Sequence, residues 1–152
     1  MNNVSASVAG TVSLGSQLTV NRLGFGAMRL TGEVIWGPPK DRKSALAVLR
    51  RAAELEVNFI DTADSYGPRV SEELIAEALS PYPTNLVIAA KGGWNQPGPN
   101  QWTHDASPAH LRKAVEGSLK NSGLIASTSI SCTLRSGHPL RSVSRDTYPT
   151  AA

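Results

Sequence analysis

The run Leu86-Val87-Ile88-Ala89-Ala90 is apolar at every position and ends on Lys91. A strand with one wet face alternates apolar and polar residues. An unbroken run belongs to a strand covered on both faces, as in a parallel sheet sheathed by helices. Parallel neighbours need long crossover connections, usually helical. The flanking sequence should therefore read as helix, strand, helix.

It does. Asp41 is a suitable N-cap, and Ala45, Val48, Leu49, Ala52 and Ala53 fall at i, i+3, i+4, i+7 and i+8, one apolar face of a helix ending near Glu56. Val57-Asn58-Phe59-Ile60 reads as a short buried strand running into Asp61. Ser71 is expected to cap the next helix, with Glu72 and Glu73 in its first turn, where the macrodipole favours acids. Leu74, Ile75, Ala78 and Leu79 form its buried face, and Pro81 and Pro83 close it. After Lys91 the Gly, Pro and Asn content of residues 92–102 reads as a loop. Ser107-Pro108 then starts a third helix, a cap followed by proline at the first helical position, with Leu111, Ala114, Val115 and Leu119 on its stripe.

Upstream, residues 11–20 read as a hairpin around Gly15-Ser16. Residues 22–26 read as a short glycine-punctuated strand, and 31–40 as a loop. The fold class is α/β: a hairpin followed by three βα units in a parallel sheet with right-handed crossovers. With 152 residues the chain is shorter than a complete (β/α)₈ barrel, which takes about 250. Residues 1–120 are expected to form the first part of a barrel. From residue 121 the pattern is lost: 121–152 hold seven Ser and four Thr without helical periodicity, and only Ile130, Cys132 and Leu134 alternate as a strand would. That segment is expected to be a disordered tail or the product of a shifted reading frame.

Residues 1–120 carry 12 Lys/Arg and 11 Asp/Glu, and the remainder three Arg against Asp146. Without a dense basic run, no nucleic-acid partner is expected. Cys132 is the sole cysteine, which excludes a disulfide framework or a cysteine-based metal site within the chain. No apolar stretch approaches 18 residues and the N-terminus lacks a signal-peptide pattern, so no membrane partner and a cytoplasmic setting are expected.

In a parallel α/β barrel, chemistry gathers where strands end at their C-terminal face. Asp61 ends one strand, Lys91 the next, and Tyr66 lies in the loop just after Asp61. A phenol, with an ordinary pKa of about 10, is a weak acid near neutrality. A nearby ammonium stabilises the phenolate, and a carboxylate paired with that ammonium holds it in place. The trio suits proton delivery to a carbonyl oxygen. Asp64, Arg69, His104 and His110 read as solvent-facing, and Trp94 as either a pocket wall or a packing residue.

The segment from Val57 through Asp61-Thr62-Ala63-Asp64-Ser65-Tyr66-Gly67, followed by Ser71-Glu72-Glu73-Leu74-Ile75-Ala76-Glu77-Ala78-Leu79, resembles the aldo/keto reductase signature. Leu23-Gly24-Phe25-Gly26-Ala27-Met28 resembles that family's first strand and loop, and Val87-Ile88-Ala89-Ala90-Lys91-Gly92-Gly93 its third strand with the active-site lysine. The resemblance covers about residues 10–120. It implies a partial TIM barrel and NADPH-dependent reduction of a small aldehyde or ketone. Tyr66 would be the general acid, Lys91 would tune it and Asp61 would pair with Lys91, with Ala27, Met28 and Asp61 near the nicotinamide ribose. The family's catalytic histidine, ending the fourth strand, has no counterpart here. His138, between Gly137 and Pro139, does not fit that pattern. The resemblance therefore implies a truncated, inactive chain, self-associating through open sheet edges, or alternatively a non-catalytic binding or regulatory module.

Overall fold

The computed structural model describes residues 4–15, 18–123, 130–132 and 142–143. Thr11–Leu14 (β1) and Leu18–Asn21 (β2) form the expected antiparallel hairpin, Leu14 opposite Leu18. Phe25–Gly26 (β3), Phe59–Asp61 (β4) and Val87–Gly92 (β5) lie side by side in a parallel sheet, Phe25 opposite Ile60 and Ile60 opposite Ile88. Helices Arg42–Glu54 (α1), Val70–Leu79 (α2) and Pro108–Asn121 (α3) follow the three strands in turn. The order is the alternation expected from the sequence. The entry to β3 is tight: a Cβ on Gly24 would lie 3.0 Å from Phe59 Cδ1 and 3.2 Å from the Phe59 carbonyl oxygen.

Asp41 caps α1 as expected, its Oδ1 accepting the Ser44 N–H at 2.9 Å. The helix ends in a Schellman turn: the Val57 N–H donates to the Ala52 carbonyl at 3.0 Å and the Glu56 N–H to the Ala53 carbonyl at 2.9 Å, with Glu56 left-handed at φ 62°. That turn reverses the chain into β4. The buried face of α1 is Ala45, Leu46, Leu49 and Ala52. Val48, expected inside, is 46% exposed. Leu46 and Val48 flank the same stripe, and only the flank bearing Leu46 is covered. The core joins Ala45, Leu46 and Leu49 to Ala27, Leu30, Ile60, Leu74, Ile75, Leu79 and Ile88, between the sheet and the helices.

Ser71 does not cap α2. Arg69, left-handed at φ 69°, occupies the N-cap position without a side-chain bond. The first turn is capped by backbone instead: the Arg69 N–H donates to the Asp64 carbonyl at 2.9 Å and the Ser71 N–H to the Tyr66 carbonyl at 3.2 Å. The Ser71 side chain is thereby free to turn inward, where its Oγ lies 2.8 Å from Thr62 Oγ1. Ser107 does cap α3, accepting the His110 N–H at 3.2 Å.

The loop expected after Lys91 is a second hairpin, Trp94–Gly98 (β6) and Gln101–His104 (β7), with Trp94 opposite His104. Its connection is Pro99-Asn100, with Asn100 left-handed at φ 56°, a conformation asparagine tolerates. The Gly and Pro content read as a loop thus serves a tight turn and a bulge.

Ile130–Cys132 (β8) pairs parallel with β5, Ala90 opposite Ile130, and Ser142–Val143 (β9) pairs antiparallel with β8. The sheet order is β3-β4-β5-β8-β9. The segment expected as a tail therefore contributes two backbone strands. Its other residues, His138 included, lie outside the described residues.

The N-terminal hairpin sits at the end of the sheet away from Asp61. The Asn21 N–H donates to Asn58 Oδ1 at 2.8 Å, Asn21 Nδ2 to the Glu56 carbonyl at 2.7 Å, and the Ala6 N–H to the Leu55 carbonyl at 2.7 Å. The opposite, C-terminal end of the sheet carries Asp61 and Lys91.

Candidate acid–base site

Asp61 is the last residue of β4, opposite Ala89 of β5. Side chains two apart in a strand share a face, so Lys91 emerges beside Asp61 and reaches back to it. Lys91 Nζ donates to Asp61 Oδ1 at 2.6 Å and to the Thr62 carbonyl at 2.7 Å. The ammonium also lies 5.1 Å from the centroid of the Tyr66 ring, within cation–π range. The Lys91 side chain is 22% exposed and that of Asp61 45%. The cation is thus largely enclosed while the carboxylate stays open to a ligand.

The turn carrying Tyr66 is tied to β5 by its backbone. The Thr62 N–H donates to the Ala89 carbonyl at 2.8 Å and the Asp64 N–H to the Lys91 carbonyl at 3.3 Å, extending the ladder past β4. Gly67, at φ 97°, closes the turn: a Cβ there would meet Val70 Cβ at 2.5 Å. Only glycine suits that position.

Asp61, Tyr66 and Lys91 are therefore together at one end of the sheet, as expected. Ala27 and Met28 follow β3 at the same end. Ala27 is fully buried, and its carbonyl accepts from Ser71 Oγ at 3.4 Å, so its side chain cannot touch a ligand. Met28 is 37% exposed and lines a shallow cleft of about 230 Å³ with Thr31, Val34, Ile35 and Lys40. An open carboxylate and an exposed thioether fit a ribose and the edge of a nicotinamide. Trp94 is half-buried, its ring 5.3 Å from His104, edge to face.

Three residues read as solvent-facing or merely helical are enclosed behind the site. Glu72 is fully buried. Its Oε2 accepts from Asn121 Nδ2 at 3.0 Å, and its Oε1 has no hydrogen-bond partner. Burial pushes its carboxyl up, opposed by hydrogen bonds from Ser118 and Asn121 and aided by Glu73. Asp64 is half-buried, with Oδ1 unpartnered, and its pKa is pushed up to about 6, first by burial and then by the Glu72 charge, against a lowering by His110. The His110 side chain is 13% exposed, with Nε2 unpartnered and Nδ1 3.9 Å from Asp105 Oδ2. Arg69 is exposed, as expected.

Gln96, also unremarked in the sequence, is 3% exposed and donates from Nε2 to the Val34 carbonyl at 3.0 Å. Among the described residues no group of three His, Cys, Asp or Glu could hold a metal ion, and no helix is long and apolar enough to cross a membrane.

A parallel α/β sheet followed strand by strand by helices, with a lysine–carboxylate pair beside a tyrosine at its C-terminal end, defines a segment of a (β/α)₈ barrel. The chain belongs to the aldo/keto reductase family, whose family model matches residues 22–127. It is 54% identical over 121 residues to an uncharacterized oxidoreductase of Schizosaccharomyces pombe, covering 80% of this chain and 39% of that protein. It is 49% identical over 114 residues to pyridoxine 4-dehydrogenase of Escherichia coli, covering 75% of this chain and 40% of that protein. Among solved structures, the holo aldo-keto reductase of Bacillus halodurans superposes with TM-score 0.63 at 31% identity, covering 75% of this chain and 36% of that one. The glycerol dehydrogenase of Gluconobacter oxydans gives TM-score 0.62 at 28% identity, covering 82% and 37%. The chain thus spans about two fifths of the length of these curated relatives.

Proposed function

We propose that residues 1–120 carry the acid–base half of a carbonyl reductase site, in which Tyr66 protonates the carbonyl oxygen of a small aldehyde or ketone. The observation that carries this reading is the Lys91 ammonium, held 2.6 Å from Asp61 and 5.1 Å from the Tyr66 ring. In that place the ammonium favours the phenolate left after proton transfer, while Asp61 and the Thr62 carbonyl keep it from wandering. The cofactor, by family NADPH, supplies hydride when bound; Met28 and Asp61 would hold its ribose end. The Escherichia coli relative is named as a dehydrogenase of pyridoxine, an aromatic alcohol; oxidation of such an alcohol gives an aromatic aldehyde, which makes aromatic aldehydes the first substrate class to test. A cytoplasmic, reducing setting accords with the single cysteine.

Turnover, in this reading, needs more of the barrel than residues 1–152 supply. Orientation of cofactor and substrate accounts for about 7–11 kcal/mol of a barrier, whereas a positioned acid contributes about 10²–10⁴-fold. Keeping the acid without the binding frame leaves little rate. The absence of the fourth-strand histidine pattern supports a second reading, a non-catalytic binding module. The two separate by experiment. The 152-residue chain, mixed with NADPH and 4-nitrobenzaldehyde, is expected to show no steady loss of cofactor absorbance. A chimera joining residues 1–120 to the remaining barrel of the Schizosaccharomyces pombe relative is expected to turn over. An inactive but folded, NADPH-binding chimera would favour the binding module.

A further inference from the structure

We propose that Gln96 is a positioning residue: its side-chain amide clasps a strained turn that holds the Tyr66 loop against the strand bearing Lys91. The inference rests on the reductase reading only for its functional meaning; the clasp itself stands on geometry.

Three independent features converge on Gln96. The first is its place in the hairpin. Asn95 pairs with Thr103 and Gly98 with Gln101, so β6 carries one more residue than β7 over this stretch, a β-bulge containing Gln96 and Pro97. A bulge re-aims a side chain that regular pleating would send elsewhere. Here it turns a long polar side chain inward to 3% exposure.

The second is the strain in what Gln96 grips. Its Nε2 donates to the Val34 carbonyl at 3.0 Å. Val34 and Ile35 are both β-branched and both left-handed, at φ 53° and 64°. Such residues rarely adopt this conformation, and it persists only where neighbours enforce it.

The third is what the turn holds. The Gly32 N–H donates to the Gly37 carbonyl at 2.9 Å, closing the turn on itself. The Gly37 N–H donates to the Gly67 carbonyl at 2.9 Å and the Gly67 N–H to the Ile35 carbonyl at 3.1 Å. Gly67 directly follows Tyr66. The turn therefore bridges two elements: through backbone it grips the tyrosine loop, and through Gln96 it is fastened to the hairpin that leaves β5 just after Lys91. With Gln96 removed, nothing else in this set of bonds links the strained turn to that hairpin, and the part of the Tyr66 loop beyond Asp64, whose own N–H bonds the Lys91 carbonyl at 3.3 Å, loses that anchorage.

The test uses the 152-residue chain and residue-resolved amide exchange by NMR. Gln96→Ala is expected to speed exchange of the Gly37 and Gly67 amides by about threefold to tenfold, the effect of losing one net hydrogen bond, with Leu49 and Ile75 unchanged. The Tyr66 13Cζ shift at neutral pH is expected to move in Gln96→Ala and to return in Gln96→His, which restores a ring N–H donor. Trp102→Ala, at an exposed position of the same hairpin, is expected to leave both where they are. Unchanged Gly67 exchange and an unchanged Tyr66 13Cζ shift in Gln96→Ala would overturn the clasp. If that variant does not fold, the wild-type Gln96 Nε2 protons decide: slowed exchange supports the clasp, and exchange at the rate of free glutamine overturns it. None of these readouts involves cofactor or turnover, so the clasp can stand where the reductase reading fails, and the reverse.

Discussion

Asp64→Asn should stabilise the fold at neutral pH and flatten its pH dependence. In the folded chain the Asp64 carboxyl is raised from 3.8 to about 6, by burial first and the nearby Glu72 second. A carboxyl whose folded value is raised binds its proton more tightly when folded. Its contribution is therefore fully present below pH 3.8, is lost as pH rises toward 6, and remains as a constant penalty above. A shift of this size corresponds to about 3 kcal/mol. Asp64 is only half-buried, and solvent screening reduces the figure to about 1–2 kcal/mol. Asparagine keeps the shape without the charge. Urea unfolding followed by tryptophan fluorescence, between pH 4 and 8, should show the variant more stable by about 1–2 kcal/mol at pH 7.5 and equal to wild type within about 0.5 kcal/mol at pH 4. In thermal melts the gain is about 2–4 °C per kcal/mol for a chain of this size. A variant whose stability runs parallel to wild type across the whole range would show that folding does not raise the Asp64 carboxyl.

Gly67→Ala places a methyl 2.5 Å from Val70 Cβ at φ 97° and should cost about 2–3 kcal/mol in urea unfolding; a cost below about 0.5 kcal/mol would mean the turn relaxes freely. Leu74 is fully buried, so Leu74→Ala should cost about 2–5 kcal/mol by the same assay. Among the described residues β3 pairs only with β4, leaving an open sheet edge, and such edges template association. Sedimentation of the 152-residue chain should show oligomers that grow with concentration; a sharp monomer at every concentration would contradict this.

The alternation of strands and helices was legible because it follows from backbone reach and apolar periodicity, and the Asp61–Lys91 pair because both residues end adjacent strands. Tertiary choices were not legible. Periodicity put Val48 on the buried stripe, and packing against a neighbour buried Leu46, on the other flank, in its place. Ser71 has the chemistry of a cap, but the carbonyls of Asp64 and Tyr66 took that work and released it inward. The second hairpin hid in a Gly- and Pro-rich stretch, since the same residues that mark loops also make tight turns and bulges. His110 lies far from Asp64 and Glu72 in sequence, and nothing local shows that the loop after β4, α2 and α3 bring the three together. Glu72-Glu73 in a helix's first turn reads the same whether it meets water or core. A glutamine in a bulge carries no signal until its partner, 62 residues earlier, is known.

The most direct measurement is kcat in the chimera of residues 1–120 with the relative's remaining barrel, comparing wild type with Tyr66→Phe under saturating NADPH and 4-nitrobenzaldehyde. If Tyr66 is the acid, the substitution should lower kcat by about 10²–10⁴-fold while leaving cofactor binding unchanged. Wild-type turnover retained in Tyr66→Phe would contradict the assignment of the Asp61–Lys91–Tyr66 cluster as the acid–base centre.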